Sequence, residues 1–177
     1  IAVKMDKLLQ ELLQPVSVEL DGKYPIFIPS STFNTVFLAF HAAQHYARGL
    51  ALHHLCDWAC LLNRYGLHIP EEVTDIRFRN MMLAMTHLCN DYLGTSVPVY
   101  GGEGLAEEIL WEIIRPPYTK FVPAKNKWSI LVYKTKRMLH THRVCNSVLR
   151  ISLCKWVGNS ILLHLRSPHT IFQTERK

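Results

Sequence analysis

Apolar residues recur at helical spacing along most of this chain, and they alternate with polar residues only near its N-terminus. Residues 3–13 carry apolar side chains three and four positions apart, which predicts an amphipathic helix. Residues 16–20 alternate apolar and polar, and Asp21-Gly22 separates them from the apolar residues 24–29. Asp-Gly between two such runs is typical of a hairpin, because a type I′ turn needs positive φ at both central positions. We therefore expect a helix followed by a β-hairpin.

Helical periodicity dominates the rest of the chain. Residues 33–47 and 51–65 predict two helices, separated by Gly49 and ended by Gly66, and the short link favours an antiparallel or steeply crossed pair. A short helix is expected to begin at Pro70. Further helices are predicted at residues 78–93, 105–114, 127–142 and 148–165. The fold class is therefore mainly α with a short N-terminal β-hairpin (α+β), and the region after the hairpin resembles a helical bundle.

Charge is distributed unevenly along the chain, whose formal net charge is +6. The segment from about residue 120 onward holds most of the Lys and Arg residues and a single acidic residue. Such a basic third predicts contact with an anion: nucleic acid, nucleotide phosphate, an anionic membrane or the acidic front part of the same chain. The alternative is a solvated helix face. The candidate phosphate-binding residues are Lys134, Lys136, Arg137 and Arg143.

Cysteine content and hydropathy indicate a cytoplasmic protein. The five cysteines are odd in number and show no Cys-x-x-Cys spacing, as expected for reduced thiols. No apolar run reaches the roughly 18 to 20 residues that a membrane-spanning helix needs, so no transmembrane segment is expected. In residues 151–165 the apolar positions cover more than one helix face, which favours burial, an oligomer contact or interfacial membrane binding.

A group of histidines is the most unusual chemical feature. His41 and His45 are one helical turn apart, and His53 and His54 open the next helix with Asp57 one turn further on. Such a set could hold Zn²⁺ or catalytic iron, but the His-Glu-x-x-His arrangement of zinc enzymes is absent. We favour a metal-free polar network between the two helices, and we keep a metal site as the alternative.

Motifs of the common enzyme classes are missing. The sequence contains no Asp-x-Asp, no Walker A sequence, no Gly-x-Gly-x-x-Gly and no Gly-x-Ser-x-Gly. Glu19 remains as a candidate metal-binding carboxylate, because it lies in the middle of a predicted strand in an apolar–acid–apolar pattern. Exposed carboxylates on strands are nevertheless common. Composition and periodicity alone therefore indicate no reaction.

Residues 37–59 resemble the helical region of a family of bacterial nucleotidyltransferase-like proteins in the DNA-polymerase-β-like superfamily. Those proteins often show a His-x-x-x-His helix, a glycine, and a Leu-Arg-x-Leu-x-Asp-Trp helix. His53 stands here at the position of the family's arginine. The matching residues are His41, His45, Gly49, Leu52, Leu55, Asp57 and Trp58. With the strand that carries Glu19, where the superfamily places a third carboxylate, the resemblance covers about residues 16–66.

The resemblance implies a domain division and a missing part. Residues 1–30 would be a remnant of the α/β nucleotidyltransferase core, and residues 31–177 a helical domain. A complete member would bind Mg²⁺ and a nucleoside triphosphate through Gly-Ser and Asp-x-Asp motifs, which do not precede Glu19 here. We therefore expect the chain to lack its N-terminal catalytic portion, to bind no cofactor and to be inactive alone.

Two other functions stay open. One is a non-catalytic helical module that binds nucleic acid or a protein partner through the basic third. The other is a helical metalloprotein that uses His41, His45, His53 or His54, and Asp57. Oligomerisation through residues 151–165 is compatible with each function.

Overall fold

The computed structural model describes residues 2–115, 117–118, 126–150 and 152–167. They form helices and one short antiparallel hairpin, which confirms the predicted α+β class. The elements in chain order are α1 (Ala2–Leu12), β1 (Pro15–Leu20), β2 (Tyr24–Pro29), α2 (Ser31–Gly49), α3 (Leu52–Tyr65), α4 (Ile76–Tyr92), α5 (Glu103–Ile114), α6 (Lys127–Val148) and α7 (Leu153–Arg166).

The hairpin forms where the alternating pattern predicted it. Its strands pair from Pro15 with Pro29 to Leu20 with Tyr24, so three residues make the turn. Asp21 and Gly22 adopt φ angles of 52° and 66°, which are the positive values that the Asp-Gly signal anticipated. The strands pair with each other, and most of β2 is exposed to solvent.

Helix ends follow local capping chemistry. Ser30 precedes α2, and its hydroxyl accepts a hydrogen bond from the Phe33 N–H at 3.2 Å. The α2 helix ends at Gly49, which has a φ of 116°, and α3 is followed by Gly66 with a φ of 70°. These positions confirm the predicted breaks, because only glycine adopts such backbone angles at little cost.

One predicted helix does not form, and the boundary between the last two helices lies elsewhere than predicted. Pro70 begins a single turn rather than a helix: the Val73 N–H donates to the Pro70 carbonyl at 3.1 Å, and Val73 is buried. Burial of that one side chain holds the segment in a loop, and Asp75 then caps α4. The last two helices were predicted to end at residue 142 and to begin at residue 148. Instead, α6 extends to Val148, which is fully buried, and α7 begins only at Leu153.

The core lies among α2, α3, α4, α5 and α6. The Trp58 side chain of α3 is fully buried, and its indole N–H donates to the Thr86 hydroxyl of α4 at 3.0 Å. That hydroxyl in turn donates to the Met82 carbonyl at 2.8 Å. Two fully buried polar side chains therefore link α3 to α4 within the core.

The N-terminal and C-terminal helices differ in burial. Met5 of α1 is buried in the core that the later helices build, while Ile161, Leu162 and Leu165 of α7 are exposed. No helix within the described ranges is long and apolar enough to cross a bilayer. The domain division at residue 30 and an oligomer contact through residues 151–165 stay predictions.

Candidate functional site

Three histidines meet where α2 turns into α3. His41 and His45 lie one turn apart on α2, and His54 lies in the first turn of α3, after the short link at Leu50 and Ala51. Their ring centroids are 4.7 Å (His41–His45), 5.3 Å (His41–His54) and 4.9 Å (His45–His54) apart. Each ring offers one nitrogen, and these three nitrogens lie within 4.8 Å of one another. We call these residues the histidine cluster.

His54 is the buried member of the cluster. The Ala51 N–H donates to its Nδ1 at 3.2 Å, and Nδ1 also lies 3.1 Å from the Ala51 carbonyl oxygen. Its Nε2 has no hydrogen-bond partner among the residues that the structure describes. A buried polar atom left unpaired costs on the order of 1–3 kcal/mol of folding free energy. The folded chain therefore carries an unsatisfied nitrogen within a group of imidazoles.

Burial also decides the protonation of His54. Desolvation lowers its pKa below the ordinary histidine value, and the nearby rings of His53, His45 and His41 lower the pKa further. The Ala51 backbone opposes this shift to a smaller extent. His54 is therefore held as the neutral imidazole at neutral pH, which is the form that binds metal ions.

The cluster opens to solvent on the α2 side. His45 is exposed and His41 is half-buried, so a solute can approach the three rings. The His41 ring also stacks on Phe37, with centroids 6.1 Å apart, and Phe37 stacks on Phe33 at 5.8 Å. This row of rings at four-residue spacing limits the freedom of the His41 side chain. The spacing of these rings is visible in the sequence, but only the structure shows that they stack.

The other two members of the predicted network lie differently. His53 stacks on His54, with ring centroids 3.9 Å apart, but its nitrogens do not belong to the converging group. Asp57 is exposed and is also outside that group. The structure thus brings together His41, His45 and His54, and it leaves Asp57 at the surface.

Glu19 is exposed on β1, where it pairs with Pro25 of β2. Asp21 follows two residues later and is also exposed, but it lies in the turn and not on the strand. This Glu-x-Asp spacing was missed from the sequence. Within the described parts of the chain, the histidine cluster alone brings three potential metal ligands together. In those parts of the chain, two further carboxylates do not join Glu19 to complete a magnesium site.

The four candidate phosphate-binding residues all lie on α6. At 3.6 residues per turn, Lys136 and Arg143 share one side of the helix, and Lys134 and Arg137 share another. Arg143 lines a cleft of about 360 Å³ together with Glu108 and other residues of α2, α5 and α6. The four residues do not form one continuous basic face, and phosphate binding by them stays a prediction.

A carboxylate–imidazole pair borders the same cleft. Glu112 of α5 lies 2.8 Å from His140 Nε2 of α6, and both side chains are largely buried. Tyr46 lines the cleft from α2, and burial, together with the charges of Glu108 and Glu112, raises its pKa well above the ordinary tyrosine value. Sequence reasoning missed this pair because its members are 28 residues apart on helices whose packing no motif reveals.

Comparison with known proteins supplies a family. No curated protein and no solved structure matches the chain. Residues 2–94 match a family described as uncharacterised nucleotidyltransferase. That range exceeds half of the chain and includes α1, the hairpin with Glu19, and the helices α2, α3 and α4. It is wider than residues 16–66, over which the sequence resembles the nucleotidyltransferase-like proteins. The chain belongs to the uncharacterised nucleotidyltransferase family.

Proposed function

We propose that this chain forms the helical wall of a nucleotidyltransferase active site and contributes Glu19 as one of its metal-binding carboxylates. The observation that supports this most is the range of the family match, which includes the Glu19 hairpin and the helices that follow it. Transfer of a nucleotidyl group needs carboxylates that hold Mg²⁺ against the triphosphate. Glu19 is an exposed carboxylate within the matched range.

Strand geometry leaves Glu19 accessible to a ligand. Ser17, Glu19 and Phe27 lie on one face of the hairpin, because side chains alternate along a strand and Ser17 pairs with Phe27. Phe27 is 72% exposed, so this face is open to solvent. A metal ion with its bound triphosphate can therefore reach the Glu19 carboxylate without rearrangement of the core.

Glu19 by itself gives a weak site for magnesium and a triphosphate. Mg²⁺ prefers octahedral oxygen coordination and is usually bound by one or two carboxylates together with the substrate phosphates. Because no second and third carboxylate join Glu19 in the described residues, we expect the 177-residue chain to bind Mg-nucleotides weakly. Isothermal titration calorimetry with Mg-ATP, Mg-GTP, Mg-CTP and Mg-UTP tests this. Stoichiometric binding to the chain would contradict the need for further carboxylates.

The role of Glu19 is tested on the complete product of the gene. Wild type is compared with Glu19→Gln, and Glu71→Gln serves as a matched control because Glu71 is an exposed acid in the loop before α4. We expect Glu19→Gln to weaken Mg-nucleotide binding by at least about tenfold, since even indirect partners of a metal matter by 10- to 100-fold. Glu71→Gln should bind as wild type does. Equal binding by all three proteins would overturn the role of Glu19, and no nucleotide binding at all would overturn the proposed function.

A further inference from the structure

We propose that His41, His45 and His54 form a binding site for a transition-metal ion, with Zn²⁺ as the preferred ion. This site is separate from the proposed magnesium chemistry, because that chemistry uses carboxylates and the histidine cluster contains none. The convergence of three ring nitrogens within 4.8 Å supports the site. The unpartnered and buried Nε2 of His54 supports it independently.

The ligand set selects the ion. Imidazole nitrogen suits zinc and its first-row neighbours, whereas magnesium and calcium prefer oxygen. Non-haem iron enzymes typically use two histidines and one carboxylate, and Asp57 would have to supply that carboxylate. Asp57 lies outside the converging group. Three histidines with an open position are instead a known arrangement of zinc enzymes.

The required movement is small. A tetrahedral ion with Zn–N bonds of about 2.0–2.1 Å holds its nitrogens roughly 3.3 Å apart. The most distant pair in the cluster must therefore approach by about 1.5 Å from its separation of up to 4.8 Å. His45 is exposed, and its ring centroid already lies 4.9 Å from that of the buried His54. His41 lies one turn before His45 on α2, and its ring is close to both of the other rings.

The backbone orients His54 for this role. The Ala51 N–H donates to Nδ1 at 3.2 Å, and Nδ1 also lies 3.1 Å from the Ala51 carbonyl oxygen. Binding of the ion through Nε2 uses the tautomer whose Nδ1–H donates to that carbonyl, because the lone pair is then on Nε2. Histidines that bind metals almost always donate their other ring N–H to such a carbonyl or carboxylate, which fixes the tautomer and the ring orientation. Both Ala51 contacts are made by Nδ1, so Nε2, the unpartnered atom, is the nitrogen left to bind the ion.

Exposure determines what else the ion would contact. Because His45 is exposed and His41 is only half-buried, the fourth position of a tetrahedral ion faces solvent. Structural zinc sites are closed by four protein ligands, while catalytic sites keep one position for water or substrate. We therefore infer an open site whose fourth ligand is water or an oxygen atom of a bound solute.

The test uses the chain without a polyhistidine tag and after removal of metals by a chelator. Titration with Zn²⁺ against a chromophoric competitor should give one ion per chain with a Kd below about 1 μM. We expect His41→Ala and His45→Ala each to weaken binding by at least about 100-fold. His68→Ala is the matched control, since His68 is exposed in the loop after α3, and it should bind as wild type does.

A second measurement avoids reliance on the buried residue, because His54→Ala also removes core packing. Co²⁺ bound to the wild-type chain should show the intense visible absorption of a tetrahedral ion, and His45→Ala should lose it. Failure to bind Zn²⁺ at a Kd of about 1 μM or below would overturn the proposal. So would equal effects of His45→Ala and His68→Ala.

Discussion

At the scale of single residues, the Trp58–Thr86 hydrogen bond joins two fully buried side chains across the core. The Thr86 hydroxyl is fully buried, accepts from the indole N–H at 3.0 Å and donates to the Met82 carbonyl at 2.8 Å. Thr86→Val keeps the shape of the side chain and leaves the indole N–H unpaired. We expect a loss of about 1–3 kcal/mol in the free energy of unfolding, measured by urea denaturation.

Thr135→Val is the matched control for that experiment. Thr135 makes the same local bond to the carbonyl four residues earlier, at 2.9 Å, but it is exposed on α6. Exposed substitutions of this kind change stability by no more than about 0.5 kcal/mol. Equal effects of the two substitutions would show that the indole bond does not stabilise the core.

Burial also separates the reactivities of the cysteines. Cys89 is fully buried, its thiol donates to the Leu55 carbonyl at 3.3 Å, and burial, with a smaller contribution from Cys56, raises its pKa to about 12. Because the thiolate is the reactive form, Cys89 should stay unmodified by iodoacetamide at pH 8 in the folded protein. The exposed Cys56 and Cys60 should react. Peptide mass spectrometry of timed samples measures this, and modification of Cys89 as fast as Cys60 would contradict it.

The sequence predicts part of the histidine cluster but not its third member. His41 and His45 share a face for any helix in that register, so their proximity follows from spacing alone. His53 and His54 are adjacent, about 100° apart around α3, and the helix start decides which of them turns inward. The chain fixes that start with Ala51, whose backbone contacts the His54 ring, and no pattern of residue types reveals this choice.

At the scale of elements, Gly102 allows the start of α5 to pack closely against α4. It adopts a φ of 96°, and a Cβ placed there would lie 2.8 Å from the Ala84 nitrogen and from the Leu83 Cβ. Because the obstruction includes backbone of α4, Gly102→Ala should destabilise the protein by about 1–3 kcal/mol in thermal or urea unfolding.

Gly104 is the matched control for this prediction. It lies two residues later inside α5, and a Cβ there would meet no atom within 4 Å. Since alanine favours helix over glycine, Gly104→Ala should be neutral or stabilise by up to about 1 kcal/mol. If both alanine variants are equally stable, close packing at Gly102 does not limit the α4–α5 contact.

Helix and strand boundaries could be predicted wherever local chemistry determines them. Gly49 and Gly66 mark helix ends that the structure confirms, because the preference of glycine for positive φ acts within a few residues. Pro70 and Val148 mark the failures, since burial of side chains in the core decided both places. Tertiary burial of this kind is invisible to a pattern of neighbouring residues.

At the scale of the whole molecule, the range of the family match differs from the set of elements that build the hydrophobic core. The match ends at residue 94, yet Leu105, Ala106 and Ile109 of α5 belong to the same core as α2 and α3. The part of the chain that carries the family signal therefore depends on later residues for its burial. Conversely, the hairpin that carries Glu19 lies inside the match, and its side chains are largely exposed.

Hydrogen exchange should show this division directly. A two-stranded hairpin is at best marginally stable in water, and β1 and β2 pair with each other while Val16 and Phe27 remain 47% and 72% exposed. The helix α4 instead buries Phe78, Met82 and Met85, so its amides exchange mainly through global unfolding. We expect peptides from residues 15–29 to exchange much faster than peptides from residues 76–92 in deuterium-exchange mass spectrometry. Equal protection of both segments would contradict this prediction and would mean that another surface covers the hairpin in solution. If that surface belongs to a second copy of the chain, dilution of the protein should restore the faster exchange of the hairpin.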